Sequence, residues 1–131
     1  MPTTYQRDDE RRLITVKITE PYSVADIISV IDRQMAEDTW EYAMLYDMRA
    51  TTRLSTLDET REVAGHIQAL SGGRRRGPVA LVISAGPEQV EAGLEFAKLN
   101  REVALPDLLL TAMQLDDWVA RNAPRREVEE P

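Results

Sequence analysis

The 131-residue chain has no cysteine, one histidine and one phenylalanine, and no unbroken apolar run exceeds five residues, the length of Val79 to Ile83. Without cysteine there is no disulfide framework, no thiol nucleophile and no cysteine-held metal site, which fits a reducing cytoplasm. A bilayer-spanning helix needs about 20 apolar residues, and no such run exists. The opening Met-Pro-Thr-Thr-Tyr-Gln-Arg-Asp-Asp-Glu also lacks the apolar centre of a signal peptide. Positive charge is scarce, with 16 Lys and Arg against 23 Asp and Glu for a net charge of −7. A nucleic-acid or anionic-membrane binder needs a basic face, so neither partner is expected. Apolar residues make up 43% of the chain, enough for a packed core. The length suits one domain, read here as residues 1–122, with the Pro- and charge-rich residues 123–131 as a flexible tail.

Periodicity supplies the fold class. Tyr5 and Gln6 suggest a short strand, and Arg7-Asp8-Asp9-Glu10 a polar turn. Ile14, Val16 and Ile18 alternate with Thr15, Lys17 and Thr19, the period of a strand with one face buried. After Pro21, Ser23 and Asp26 approximate a capping box, and Val24, Ile27, Ile28, Ile31 and Met35 recur at helical spacing. Ala43-Met44-Leu45-Tyr46 and Val79-Ala80-Leu81-Val82-Ile83 are apolar throughout, as expected of interior parallel strands, the first ending at Asp47. Between them Ser55 and Thr56 offer overlapping helix starts, Leu57, Val63, Ala64, Ile67 and Leu70 form a stripe, and Gly72-Gly73 ends the helix. A third helix is expected from Pro87, with Val90, Leu94 and Ala97 as its apolar stripe. Leu108-Leu109-Leu110 reads as a last strand, and Leu115, Trp118 and Val119 as one side of a final helix. Strands alternating with helices require parallel crossovers. The expectation is an α/β domain with a single sheet of about five mostly parallel strands, an N-terminal antiparallel hairpin and about four covering helices.

Leu45-Tyr46-Asp47-Met48-Arg49 resembles the strand-end hydrophobic-Asp-Leu-Arg segment of SpoIIAA-like proteins, which belong with the STAS domains of anti-sigma-factor antagonists and sulphate transporters. The helix start Ser55-Thr56-Leu57, the strand Pro78 to Ile83 and the closing Leu115-x-x-Trp118-Val119 fall in similar places, so the resemblance spans roughly residues 4–122. It implies a small regulatory or binding module acting through protein contacts, often without catalysis. Regulated antagonists carry a phosphorylated serine within Asp-Ser-Ser-Gly; here the stretch is Leu54-Ser55-Thr56-Leu57-Asp58, without the glycine or the preceding acid. Capping by Ser55 or Thr56 is favoured over phosphorylation there.

Other chemistry-bearing residues have plain alternatives. Asp47 closes an interior strand, where open α/β folds place ligand sites. A phospho-accepting aspartate would need an acidic pair after the first parallel strand and a lysine after the last. The chain has Thr19-Glu20-Pro21 and Thr111-Ala112-Met113 instead. Asp47 is therefore expected to pair with Arg49 or Arg53, or to accept loop N–H groups. His66 stands alone, Gly-x-Ser-x-Gly is absent, and Gly72-Gly73-Arg74-Arg75-Arg76-Gly77 enters a strand rather than opening a helix, which reads as a solvated turn. Phe96 and Leu99 lie off the main apolar stripe and, with nearby Leu105, are candidates for an interface; the equal alternative is that the Glu102–Pro106 loop folds back over them. The chain is thus expected to be a non-enzymatic interaction module without cofactor or metal, pairing with a protein partner or itself as a homodimer. The alternative is a binder of a small apolar or acidic metabolite. Asp47, Arg49, Ser55, Thr56 and Ser84 are its candidate binding or switch residues.

Overall fold

A computed structural model describes residues 3–51, 56–84 and 108–123, together with 91, 94 and 98. The elements are β1 (Thr3–Asp8), β2 (Leu13–Thr19), α1 (Val24–Ala36), β3 (Ala43–Ala50), α2 (Leu57–Ser71), β4 (Val79–Ile83), β5 (Leu108–Thr111) and α3 (Ala112–Asn122). The five strands form one sheet in sequence order, β1 antiparallel to β2 and all others parallel. This α/β class with its opening hairpin is the architecture that the periodicity predicts.

Strand alternation divides the core in two. Ile14, Val16 and Ile18 of β2, Met44, Tyr46 and Met48 of β3, and Val79 and Leu81 of β4 form one buried cluster with Val30 of α1. A second patch beside it joins α1 and α2 through Ile31, Trp40 and Ile67. The intervening residues Leu13, Ala43, Leu45, Ala80 and Val82 meet Trp118 of α3 on the reverse face. Crossovers of one hand place α1 and α2 together, so the reverse face has α3 alone among the described helices.

Local chemistry sets the boundaries. Ser23 and Asp26 form the expected capping box, with the Asp26 carboxylate accepting from the Ser23 backbone N–H at 2.8 Å. Gly72 and Gly73 adopt φ values of 54° and 85°, where glycine carries no Cβ penalty. Gly77 is required for another reason: a Cβ there would collide with the backbone oxygens of Glu41 and Tyr42 and sit 2.8 Å from the Glu41 carbonyl carbon.

Several expectations need correction. β1 covers six residues rather than Tyr5-Gln6. β3 does not stop at Asp47 but continues to Ala50, because Met48 completes the buried alternation at 4% exposure. On α1 the fully enclosed residues are Val30, Ile31 and Gln34, while Val24, Ile27, Ile28 and Met35 are only partly covered. Val30 packs on the sheet, while Ile31, with the partly covered Ile27 and Met35, meets α2. The expected helix after Pro87 falls outside the described residues apart from Glu91, Leu94 and Lys98. Leu94, assigned to its apolar stripe, is 68% exposed. Spacing identifies a stripe without fixing which side meets the sheet. Ala123 is fully buried and its N–H donates to the Val119 carbonyl at 2.8 Å, so packing continues one residue past the boundary read at 122. Among the described residues no helix is long and apolar enough to cross a membrane.

Candidate functional site

Asp47 lies three residues before the end of β3, flanked in register by Lys17 of β2 and Val82 of β4. Residues two apart on a strand share a face, so Arg49 projects beside it and the two close a forked ion pair. Arg49 Nε donates to Asp47 Oδ1 at 2.9 Å and Nη2 to Oδ2 at 2.8 Å, while the Arg49 backbone N–H reaches Oδ1 at 3.2 Å. The Arg49 hydrogen bonds hold the Asp47 carboxyl below its ordinary range against the opposing effect of burial, and the Lys17 charge adds to them. Asp47 is the more enclosed partner, its side chain 17% exposed against 45% for Arg49. Such a carboxylate is a fixed anion rather than a proton acceptor poised near neutrality.

The remaining candidates separate. Ser84, one residue past β4, is half-buried and follows the same alternation as Val82 and Asp47. Thr56 is the N-cap of α2, which packs on the opposite face of the sheet. Its hydroxyl accepts from the Glu59 N–H at 3.3 Å, Glu59 Oε1 accepts from the Thr56 N–H at 2.9 Å, and the Thr60 hydroxyl donates to the Thr56 carbonyl at 2.7 Å. Thr56 thus has the capping role that its sequence suggests. Ser55, Phe96, Leu99 and Leu105 lie outside the described residues.

His66 Nε2 lies 2.6 Å from Asp32 Oδ1, joining α2 to α1 on an exposed surface away from Asp47. The Arg74–Arg76 turn is partly structural. Arg74 meets Asp38 at 3.0 Å, and the Arg76 guanidinium lies over the Trp40 ring at 5.6 Å. Among the described residues no group of three or more His, Asp or Glu side chains is placed to hold a metal ion.

Two features escaped the sequence reading. On the α3 face, Leu13, Leu45, Leu115, Val119, Ala120 and Ala123 line an open groove of about 630 Å³, with Arg11 and Asp116 at its rim. Among the described residues α3 is the one helix on that face; the apolar residues of that face were the groove's sequence signal. At the strand N-termini, Tyr5 donates to Glu37 at 3.0 Å, Arg33 stacks over the Tyr5 ring at 4.0 Å and reaches Glu37 at 3.2 Å, and Arg7 contacts Asp9 at 2.6 Å. Burial and the Glu37 carboxylate push the Tyr5 phenol up to about 12. That cluster joins residues more than 30 apart in sequence, which no local pattern announces.

No family model, curated protein or solved structure matches the chain.

Proposed function

We propose that this chain is a non-enzymatic interaction module of SpoIIAA-like type that works by binding a protein partner, including a second copy of itself. The observation that carries the reading is the Asp47–Arg49 clamp. At the strand end where an α/β enzyme would hold a proton-transfer group, both carboxylate oxygens accept hydrogen bonds from one arginine. A closed clamp presents a fixed pattern of charge, suited to recognition rather than to turnover. The α/β sheet with its antiparallel opening pair is compatible with the same reading.

The test is affinity capture with the wild-type chain beside Asp47→Ala and Arg49→Ala, together with light scattering at several concentrations. The reading expects a defined partner or a second copy to be held by the wild type and released by at least one clamp variant. A chain that stays monomeric and retains nothing above background overturns it. A second reading, binding of a small apolar or acidic metabolite, draws support from the groove with Arg11 at its rim. A ligand taken up only by the folded state must raise the melting temperature, and Ala120→Trp, at an exposed position lining the groove, should abolish that rise by filling it.

A further inference from the structure

We propose that residues 124–131 turn back along the α3 face and occupy the open groove of their own chain, with Val128 against Leu45 and the glutamates beside Arg11 and Lys17. The inference stands apart from the partner and metabolite readings above. Residues 124–131, Pro-Arg-Arg-Glu-Val-Glu-Glu-Pro, lie outside the described residues, but the chain enters them at the groove itself. α3 begins directly after β5 and runs back along the sheet. Ala123 therefore packs in one cluster with Leu13 and Ala43, at the N-terminal ends of β2 and β3, and lines the groove together with Leu13. Pro124 offers no N–H to continue the helix. The segment starts at the groove's mouth.

Reach, apolarity and charge all fit this occupant. Leu13, Thr15 and Lys17 share the α3 face of β2, in register with Ala43, Leu45 and Asp47 of β3. At about 3.3 Å per strand residue, Lys17 stands about 13 Å beyond Leu13. Val128 is five residues past Ala123, a reach of up to about 17 Å in extended chain. A segment laid beside β2 thus carries Val128 to the level of Leu45 and Glu129 to that of Lys17. Val128 is the segment's one apolar residue besides its prolines, and the groove offers it Leu13, Leu45 and Val119. Cations stand on the β2 side, Arg11 at the rim and Lys17 farther along. Among the described residues neither side chain closes an ion pair. Arg11 bonds to Asp8 through its backbone N–H, and Lys17 acts on Asp47 through its charge alone. Glu127, Glu129 and Glu130 supply carboxylates for both, and Asp116 on the α3 rim answers Arg125 and Arg126. Tethering selects this segment over a free peptide, because a short linker sets an effective concentration of about millimolar. Any ligand or partner entering the groove must then displace it.

Because the chain has no cysteine, single introduced thiols report whether the groove is covered. Ala120 is exposed and lines the groove, while its neighbour Arg121 is exposed and lies outside it. In the 131-residue chain, Ala120→Cys should react with a maleimide at least tenfold more slowly than Arg121→Cys. Adding Val128→Asp, which sets a charge against Leu45, should bring Ala120→Cys to the Arg121→Cys rate and leave Arg121→Cys unchanged. Neither rate should depend on protein concentration. Equal labelling of Ala120→Cys and Arg121→Cys without the Val128 change overturns the proposal. Protection that survives Val128→Asp assigns the groove to another occupant, such as a retained small molecule, and also overturns it. Protection that disappears on dilution assigns the groove to the segment of a second copy, and docking within one chain is then wrong.

Discussion

Replacing Gly77 by alanine should destabilise this protein by about 2 kcal/mol, although the change adds one methyl group near the surface. The new Cβ would overlap the carbonyl oxygens of Glu41 and Tyr42 and lie 2.8 Å from the Glu41 carbonyl carbon. These are backbone atoms, so no rotamer can relieve the overlap. The surrounding segment is pinned: Gly77 N–H donates to Trp40 O at 3.0 Å, Tyr42 N–H to Thr39 O at 2.9 Å, Ala43 N–H to Arg12 O at 3.0 Å and Met44 N–H to Pro78 O at 2.8 Å. Overpacking a rigid site costs about 1–3 kcal/mol, and separating the strands enough to relieve it weakens the Gly77–Trp40 bond by up to about 1 kcal/mol. Reduced entropy of the unfolded chain returns about 0.4–1 kcal/mol, leaving a net loss of about 2 kcal/mol. Urea denaturation followed by tryptophan fluorescence would show a lower midpoint at unchanged slope, and Tm would fall by roughly 5–12 °C. Gly65 is the internal control. A Cβ at this exposed α2 position meets nothing within 4 Å, so Gly65→Ala should stabilise by about 0.5–1 kcal/mol. If Gly77→Ala is as stable as wild type while Gly65→Ala behaves as stated, the close approach of the β4 entry to the Glu41–Tyr42 turn is wrong.

The other predictions concern charge and burial. Asp47→Asn should cost about 1 kcal/mol near pH 7, a figure kept small because Arg49 is half-exposed. The folded-state pKa of Asp47 is lowered, so its stabilisation is present above the unfolded value of about 3.9 and is lost as pH falls through the folded pKa. The gap between wild type and variant, measured by urea titration, should therefore close below about pH 4. For Tyr5 the sign reverses: its phenol is raised to about 12, so its contribution is full below about pH 10 and disappears as pH climbs toward 12. Tyr5→Phe should cost about 1 kcal/mol at neutral pH and remove a phenol ionising near pH 12 from an alkaline absorbance titration. The His66–Asp32 contact is solvent-facing, and a double-mutant cycle should return a coupling below about 1 kcal/mol.

Much of the fold was legible because its signals are local. The alternation of Ile14, Val16 and Ile18, the apolar runs of β3 and β4, and the caps at Ser23 and Thr56 each depend on neighbours within a few residues. The extent of β3 was less legible. Asp47 and Arg49 look like the start of a polar loop until Met48 is recognised as a buried residue between two outward charges. Gln34 shows the limit of composition. It is fully buried, its Nε2 donating to the Thr39 carbonyl at 3.0 Å and its backbone carbonyl accepting from the Thr39 hydroxyl at 3.1 Å. That bracing of the turn after α1 depends on the turn's conformation, and no hydrophobic pattern encodes it. The candidate site divided for a related reason: Asp47 and Thr56 are close in sequence, but alternation along β3 and the crossover into α2 assign them to opposite faces.

That division bears on how the protein can carry function without weakening itself. In β3 one set of residues, Met44, Tyr46 and Met48, holds the face against α1, while the interleaved set, Ala43, Leu45, Asp47 and Arg49, faces α3 and then solvent. Substitutions in the first set open cavities in the main core, where losing a large side chain costs about 2–5 kcal/mol. At Asp47 and Arg49 the loss is a partly exposed ion pair worth about 1 kcal/mol, small against the 5–15 kcal/mol of a typical domain. The charge pattern at this strand end can therefore change while the sheet beneath it stays folded. The outer side chains of β1 have the same freedom, because Thr4, Gln6 and Asp8 are all exposed and the core contact of that strand comes from Tyr5. On the proposed reading, recognition falls to the exposed charges at the end of β3, while the buried residues on both faces of the same strand, Leu45 and Met48 among them, carry stability.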